Sequence, residues 1–274
     1  MALVTGAARG MGRAMVLGLV ESGFNVVAFD VVENELKDLA KTAANSIHTC
    51  TGDVTLESDC ERAVSAAIER WGALNVLVNN AGVGMSFVRP DNLENPIRFW
   101  EVPSERWQKL MDINVRGPFL MARSATPHLL RAGWGRIINI TTSLDTMYRK
   151  AYTPYGSSKA ALEAASASWA ADLVNTGITV NVLIPGGAVN TQFFDASAPL
   201  SRDALIQPDA MVPPLRWLTS SAADQVTGMR FVASLWNPTV EIAEAVHAAG
   251  APAAWPGIGA KSQWADKKLA PSGA

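Results

Sequence analysis

Tyr155 and Lys159, within "TPYGSSKAALEA" (residues 153–164), are the side chains whose types and spacing suggest proton chemistry. A helix through this stretch puts positions i and i+4 on one face, roughly 5–6 Å apart at Cβ. A free phenol, with a pKa of about 10, is a poor base near neutral pH. A neighbouring ammonium favours phenolate and lowers that pKa. The pair is therefore either an acid/base device or a packed tyrosine beside a surface lysine, and Y-x-x-x-K by itself does not decide.

A second constellation, "ALVTGAARGMGRAMVLGL", opens the chain as a short apolar strand, a glycine-rich turn and a helix. That order suits a dinucleotide: Gly6 permits the tight turn, Gly10 lets the backbone approach a diphosphate, and Gly12 lets helix and strand pack closely. The helix start, with Met11, offers free N–H groups and a positive dipole end to the phosphates. The spacing T-G-x-x-x-G-x-G departs from the general G-x-G-x-x-G. Asp30 ends the next strand candidate, 18 residues after Gly12, where an acid meets an adenosine ribose. Its carboxylate would repel a 2′-phosphate and favour NAD, whereas Arg9 in the turn could reach that phosphate and favour NADP. The balance of these two charges favours NAD, with NADP the alternative.

The elements that must position these residues follow from the apolar pattern. Seven unbroken apolar runs read as strands covered on both faces: Ala2–Thr5, Asn25–Asp30, Ile47–Thr51, Asn75–Asn79, Arg136–Thr141, Thr179–Ile184 and Met229–Ser234. Helical stretches alternate with them at Met11–Ser22, Glu33–Lys41, Glu57–Trp71, Ser104–Arg131, Tyr155–Asn175 and Pro208–Ser221, Ser104 serving as an N-cap and Gly177 as a C-cap. The alternation predicts an α/β fold, a single Rossmann-type, doubly wound parallel sheet flanked by helices. Residues 1–235 would form the dinucleotide-binding and catalytic domain. Residues 236–274 would be a C-terminal extension, with a short helix over Val240–Ala248 and an irregular tail, packed on that domain or at a subunit interface.

Composition excludes several classes. A net charge of −2 over 274 residues leaves no electrostatic footprint for nucleic acid or anionic membrane. No stretch reaches the ~18 apolar residues of a membrane span, and the N-terminal glycines interrupt any signal-peptide core. Cys50 and Cys60 have no metal-ligand spacing, so no metal site is expected, and two free thiols suit a reducing compartment. The expectation is a soluble, cytoplasmic protein.

With the glycine turn, Asp53 in "GDVT", "NNAG" at residues 79–82, Asn114 in "MDINVRG", "RIINITTS", Tyr155 to Lys159 and "NVLIPGGAVNT" in this order, the chain resembles the short-chain dehydrogenase/reductase family. The resemblance implies a seven-stranded parallel sheet and a homo-oligomer, dimer or tetramer. It implies Tyr155 as acid in carbonyl reduction and base in alcohol oxidation, with Lys159 lowering its pKa and binding the nicotinamide ribose. Asn114 would hold a water linking Lys159 to solvent. Asp53 and Val54 would flank the adenine, and Asn80, Ala81 and Gly82 would shape the wall beneath it. In "PGGAVNT", Pro185, Gly186, Val189 and Thr191 would hold the nicotinamide end. A hydroxyl should polarise the substrate oxygen: strand register gives Thr142, 13 residues before Tyr155, while residue type gives Ser143. Ser143 is the preferred donor and Thr142 the alternative. "FVASLWNP" departs from the acid and paired glycines that commonly end the family's last strand.

These readings point to an oxidoreductase moving a hydride between NAD(H) and a secondary alcohol or ketone. A non-catalytic nucleotide-binding protein on the same fold is the rival, and an NADP-dependent ketone reductase or a lyase or epimerase with bound NAD are others. Phe87, Ile97, Phe99, Trp100, Met147, Tyr148, Phe193 and Phe194 lie in loops expected beyond the strand ends, where open α/β sheets bind ligands. They favour a hydrophobic or aromatic substrate, although Asp91, Asn92, Asn95 and Asp195 could serve a polar one.

Overall fold

The structure, a computed structural model, describes residues 1–193 and 201–257. In chain order its elements are β1 (Ala2–Thr5), α1 (Gly10–Glu21), β2 (Val26–Asp30), α2 (Glu33–Thr42), β3 (Ile47–Thr51), α3 (Glu57–Trp71), β4 (Val76–Asn79) and the single turn α4 (Met85–Val88). Then come α5 (Ser104–Met111), α6 (Gly117–Ala132), β5 (Gly135–Ile140), the single turn α7 (Leu144–Met147), α8 (Tyr155–Asp172), β6 (Ile178–Ile184), α9 (Val212–Leu218), β7 (Met229–Val232), α10 (Ile242–Ala249) and β8 (Gly250–Pro252). The sheet order is β3-β2-β1-β4-β5-β6-β7-β8. All neighbours are parallel except β7 and β8.

The strands are apolar throughout because both faces are covered. Along β1, Ala2 and Val4 point into one core with Met15, Leu19 and Leu215, while Leu3 points into the other with Cys60, Val64 and Leu120. The same alternation repeats at Val76/Leu77/Val78 and Ile137/Ile138. Each fully buried Leu, Val or Phe contributes roughly 1.5–3 kcal/mol relative to exposure. The chain reverses its winding between β1 and β4, so a crevice opens at the carboxyl ends of these two strands.

Three elements differ from the sequence reading. The sheet has eight strands rather than seven. The extra one comes from the tail, where Arg230 pairs with Ala251 and Phe231 with Gly250, and Pro252 is tolerated because β8 is an edge. The expected helix Ser104–Arg131 is split by a π turn over Asp112–Arg116, the Gly117 N–H reaching back to the Asp112 carbonyl. Pro118 has no N–H for the Asn114 carbonyl four residues earlier, so the regular ladder slips there. Pro208–Ser221 likewise divides into a 3-10 turn over Pro208–Met211 and α9, where Pro213 and Pro214 occupy the first turn and need no donor.

Two cap expectations also move. Pro103, with extended ψ, is the cap of α5, and Ser104 is its first helical residue. Helix α8 ends at Asp172, and Gly177 lies beyond it at φ 80°, where a Cβ would come within 2.2 Å of the Gly133 carbonyl oxygen. Among the described residues, no helix is long and apolar enough to cross a membrane.

Candidate active site

The glycine turn is built for close backbone approach. Gly6 and Gly10 hold φ of 63° and 54°, the left-handed region that glycine enters without steric cost. A Cβ on Gly12 would stand 1.9 Å from the Gly6 carbonyl oxygen, so α1 starts where only glycine fits. The turn is clamped from β4: the Thr5 hydroxyl accepts from the Asn80 and Ala81 N–H groups, each at 3.0 Å, and Asn80 Nδ2 donates to the Thr5 and Gly6 carbonyls. These residues fit a dinucleotide phosphate, offering a glycine cradle at the N-terminus of a twelve-residue helix. Asp30 accepts from the Ala8 N–H (3.0 Å) and the Val32 N–H (3.1 Å), so its carboxylate closes the turn at the end of β2. Arg9 does not face Asp30. It pairs with Glu35 at 3.6 Å and donates to the Gln192 side chain. A cavity of about 680 Å³, lined by Arg9, Gly10, Arg13, Thr191, Gln192 and Arg202 among others, lies between α1 and the loop after β6.

Tyr155, Lys159 and Asn114 converge near the ends of β4 and β5. Tyr155 begins α8, and Lys159 follows one turn later with its ammonium donating to the Ile140 carbonyl at 2.9 Å. Burial lowers the Lys159 pKa from 10.5 to about 8. Burial also pushes the Tyr155 phenol up to about 12, against a lowering by the neighbouring Thr142 side chain. Of the two candidate hydroxyls, Thr142 is the one that lowers the Tyr155 pKa. Ser143 is the N-cap of α7 through its backbone, its carbonyl accepting from the Thr146 and Met147 N–H groups, and its side chain makes no cap hydrogen bond. Gly156 lets α7 sit on the start of α8, because a Cβ there would come within 2.4 Å of the Met147 carbonyl oxygen.

Asn114, fully buried in the π turn, is aimed inward by it. Its oxygen accepts from the Val83 N–H, and its nitrogen donates to the Val83 carbonyl and the Ser158 hydroxyl, all within 2.9–3.0 Å. A Cβ on Gly82 would stand 3.2 Å from both Asn114 Oδ1 and Lys159 Nζ, so "NNAG" keeps the space between these groups clear.

The loops close over this centre. Thr191 packs against Gly10, whose Cβ would lie 2.9 Å from the Thr191 methyl. The Phe193 ring stands edge-on to Tyr155 at 5.6 Å and fills the space beside Gly84, while the Ser86 hydroxyl donates to the Phe193 carbonyl at 2.9 Å. Residues 84–88 and 191–193 therefore meet across the tyrosine. Gly186, at φ 93°, passes under Ser234, whose N–H donates to the Pro185 carbonyl. Val189 is buried in a bridge to Ile206.

Asp53 lies at the rim. Burial raises its pKa, but hydrogen bonds from Thr55 and Lys109 outweigh it and hold the carboxyl below the usual range. Val54 packs against the start of α6 at Gly117. Of the other aromatic and apolar candidates, Ile97 is buried, Phe87 lies under the Arg106 guanidinium, and Phe99, Trp100 and Tyr148 are exposed. Asn95 hydrogen-bonds Asp91 at the surface. Phe194 and Asp195 lie outside the described residues.

Sequence reasoning passed over the supports of this centre. Thr5 clamps the turn, and Asn79, Asn139 and Ser166 form a buried chain beneath it, Asn79 donating to Asn139 at 2.9 Å and Asn139 to Ser166 at 2.8 Å. An asparagine inside two apolar strand runs is the signal: a buried amide needs partners, and only another buried polar group can supply them.

Comparison with known proteins agrees with this geometry. Residues 1–199 match the family described as short chain dehydrogenase. The 2-(R)-hydroxypropyl-CoM dehydrogenase of Xanthobacter autotrophicus is 34% identical over 189 residues, 68% of this chain and 73% of that protein. A 3-ketoacyl-(acyl-carrier-protein) reductase from Brucella melitensis, solved with NADH, superposes with a TM-score of 0.73 at 28% identity, covering 82% of this chain and 93% of that one. A gluconate 5-dehydrogenase from Burkholderia cenocepacia, in complex with NADP and tartrate, gives 0.74 at 26% identity over 84% and 92%.

Proposed function

Because the chain belongs to the short-chain dehydrogenase family of oxidoreductases, we propose that it interconverts a secondary alcohol and its ketone with NAD(H) as the hydride partner. The observation that carries this reading is the placement of Tyr155 and the buried Lys159 one turn apart at the start of α8, with the Lys159 ammonium anchored on the Ile140 carbonyl. The nicotinamide, when bound, supplies or takes up the hydride. In reduction Tyr155 gives its proton to the carbonyl oxygen while the Thr142 hydroxyl donates to the same developing charge. In oxidation Tyr155 first releases its own proton, by way of Lys159 and the Asn114 side of the site to solvent, and the resulting phenolate takes the hydroxyl proton. With its pKa pushed up to about 12 by burial, and Lys159 not among the groups that lower it, the Tyr155 phenol carries its proton near neutral pH, so the proton is present for reduction and must be lost before oxidation.

NAD rather than NADP is supported by the two charges at the turn. The Asp30 carboxylate is fixed at the end of β2 by two backbone donors, and Arg9 is drawn off toward Glu35 and Gln192. The substrate is a hydrophobic or aromatic alcohol or ketone, supported by the Phe193 ring against Tyr155. Burying a phenyl-sized group there contributes roughly 1.5–3 kcal/mol. The working state is a homo-oligomer, dimer or tetramer, supported by the exposed Trp107, Phe119 and Leu130 on α5 and α6, and sedimentation velocity reports it directly.

The test is cofactor turnover with a panel of aryl-alkyl and sugar alcohols, with NAD and NADP in parallel. Tyr155→Phe should lower kcat by at least about 100-fold and leave cofactor affinity, followed by NADH fluorescence, unchanged. Near-normal turnover in Tyr155→Phe would remove Tyr155 from the chemistry. A higher specificity constant for the sugar alcohol would overturn the hydrophobic substrate.

A further inference from the structure

The i, i+4 step that joins Tyr155 to Lys159 continues one turn further to Glu163, and there the face stays polar. Glu163 is a fully buried carboxylate. One oxygen accepts from the Thr141 hydroxyl at 2.9 Å, and the other lies 2.8 Å from Arg230 Nε. Arg230 stands on β7 with its side chain almost wholly covered, and its outer nitrogen donates to the Thr142 carbonyl at 3.2 Å. One buried ion pair thus holds the side chain of Thr141 and the backbone of Thr142.

The Thr141–Thr142 segment follows the end of β5, where the sheet ladder fades. The Thr141 N–H still donates to the Leu183 carbonyl at 3.3 Å, and Thr142 is the next residue. Beyond that point the backbone carrying the hydroxyl is held on its carbonyl side by Arg230. We infer that the Glu163–Arg230 pair is a positioning device for the substrate-polarising hydroxyl, aiming Thr142 at Tyr155 through the two anchors on residues 141 and 142. The inference rests on the reading of Thr142 and Tyr155 given above and goes beyond it in naming residues that touch neither substrate nor cofactor.

The arrangement has the chemistry of a positioning element. Arginine offers donors in a rigid fork, so Nε can face a carboxylate while an outer nitrogen reaches a carbonyl, and lysine cannot do both. Displacing a reacting group by about 1 Å can cost on the order of 100-fold in rate. A purely structural ion pair would affect the amount of folded protein and leave turnover per site unchanged.

The experiment is a double-mutant cycle in the full-length protein. Arg230→Lys keeps the charge opposite Glu163 and removes the second donor to Thr142, and Glu163→Gln keeps the size and loses the charge. Each is made alone and in a Thr142→Ala background, with kcat normalised to cofactor-binding sites and Tm recorded. The expected result is a 10- to 100-fold fall in kcat, on the order set by misplacement, with unchanged cofactor affinity and no further fall in the Thr142→Ala background. Additive losses in the two backgrounds would overturn it, as would full turnover in Arg230→Lys.

A measurement independent of turnover covers a variant that folds poorly or a substrate panel that yields no activity. The labelled-methyl NMR resonance of Thr142, assigned by its disappearance in Thr142→Ala, should move in Arg230→Lys and be restored by no change of substrate or cofactor. An unmoved resonance overturns the inference. Tyr155→Phe, assayed alongside, tests the hydride-transfer reading by itself, so the two failures are told apart.

Discussion

Thr142→Val removes a hydroxyl while keeping a β-branched side chain of nearly the same volume. The side chain is only half-buried, so losing its one hydroxyl should cost the fold no more than about 1 kcal/mol. The chemical loss is larger. A donor aimed at a developing oxyanion is worth about 2.7–4 kcal/mol, or 100- to 1,000-fold in kcat. Turnover should therefore fall far more than stability, and urea titration beside initial-rate kinetics separates the two. The pH profile adds a signed check. Thr142 lowers the Tyr155 pKa, so its loss raises that pKa and moves the rising limb of alcohol oxidation to higher pH. Ser143→Ala keeps the backbone carbonyl that caps α7 and should stay within a few-fold of the parent. If Ser143→Ala costs more than Thr142→Val, or if the oxidation limb stays where it was, the assignment of the hydroxyl is refuted.

Asp30→Ala should narrow the preference for NAD over NADP, read as the ratio of specificity constants; a parent enzyme that already prefers NADP would show that Arg9 rather than Asp30 governs the choice. Lys159→Met should stabilise the fold by up to about 3 kcal/mol at pH 7, because a pKa lowered from 10.5 to about 8 means the ammonium is disfavoured by burial. The sign follows from proton binding: between pH 8 and 10 the unfolded lysine keeps a proton that the folded one releases, so the parent gains stability with rising pH and the difference between the two proteins shrinks. Urea unfolding at pH 7, 8, 9 and 10 checks it, and a pH-independent difference would rule out burial of charge as the cause.

The parallel strands were legible because each is buried on both faces. An unbroken apolar run such as "NVVAFD" or "RIINI" has no other stable place in a chain of this size, and the observed bounds differ by a residue or two. The π turn was not legible, since one extra residue in a helical turn barely disturbs the apolar spacing. Only the "GP" at residues 117–118 betrayed it, through the missing N–H. Strand β8 was hidden because "GAP" has neither length nor β-branched residues; it exists only because β7 offers an open edge. Local pattern cannot report a partner 20 residues away.

At the candidate site the legible residues were the ones that would face ligands, and the illegible ones were those that hold them. Tyr155, Lys159 and the glycines stand in short local motifs, since reacting groups and backbone turns need fixed spacing. Their supports need only reach, so they come from distant elements: Asn80, just past β4, clamps the turn after β1, and Arg230 from β7 holds the carbonyl of Thr142 after β5. The competing hydroxyls illustrate the consequence. Residue type pointed to Ser143 and strand register to Thr142, and both are hydrogen-bonding groups of similar strength. The contacts on the chain leaving β5, the Thr141 hydroxyl to Glu163 and the Thr142 carbonyl to Arg230, come from α8 and β7, which no reading of residues 136–143 alone contains. A one-residue ambiguity in that loop is therefore beyond local sequence, and it is the paired kinetics of Thr142→Val and Ser143→Ala that decide it.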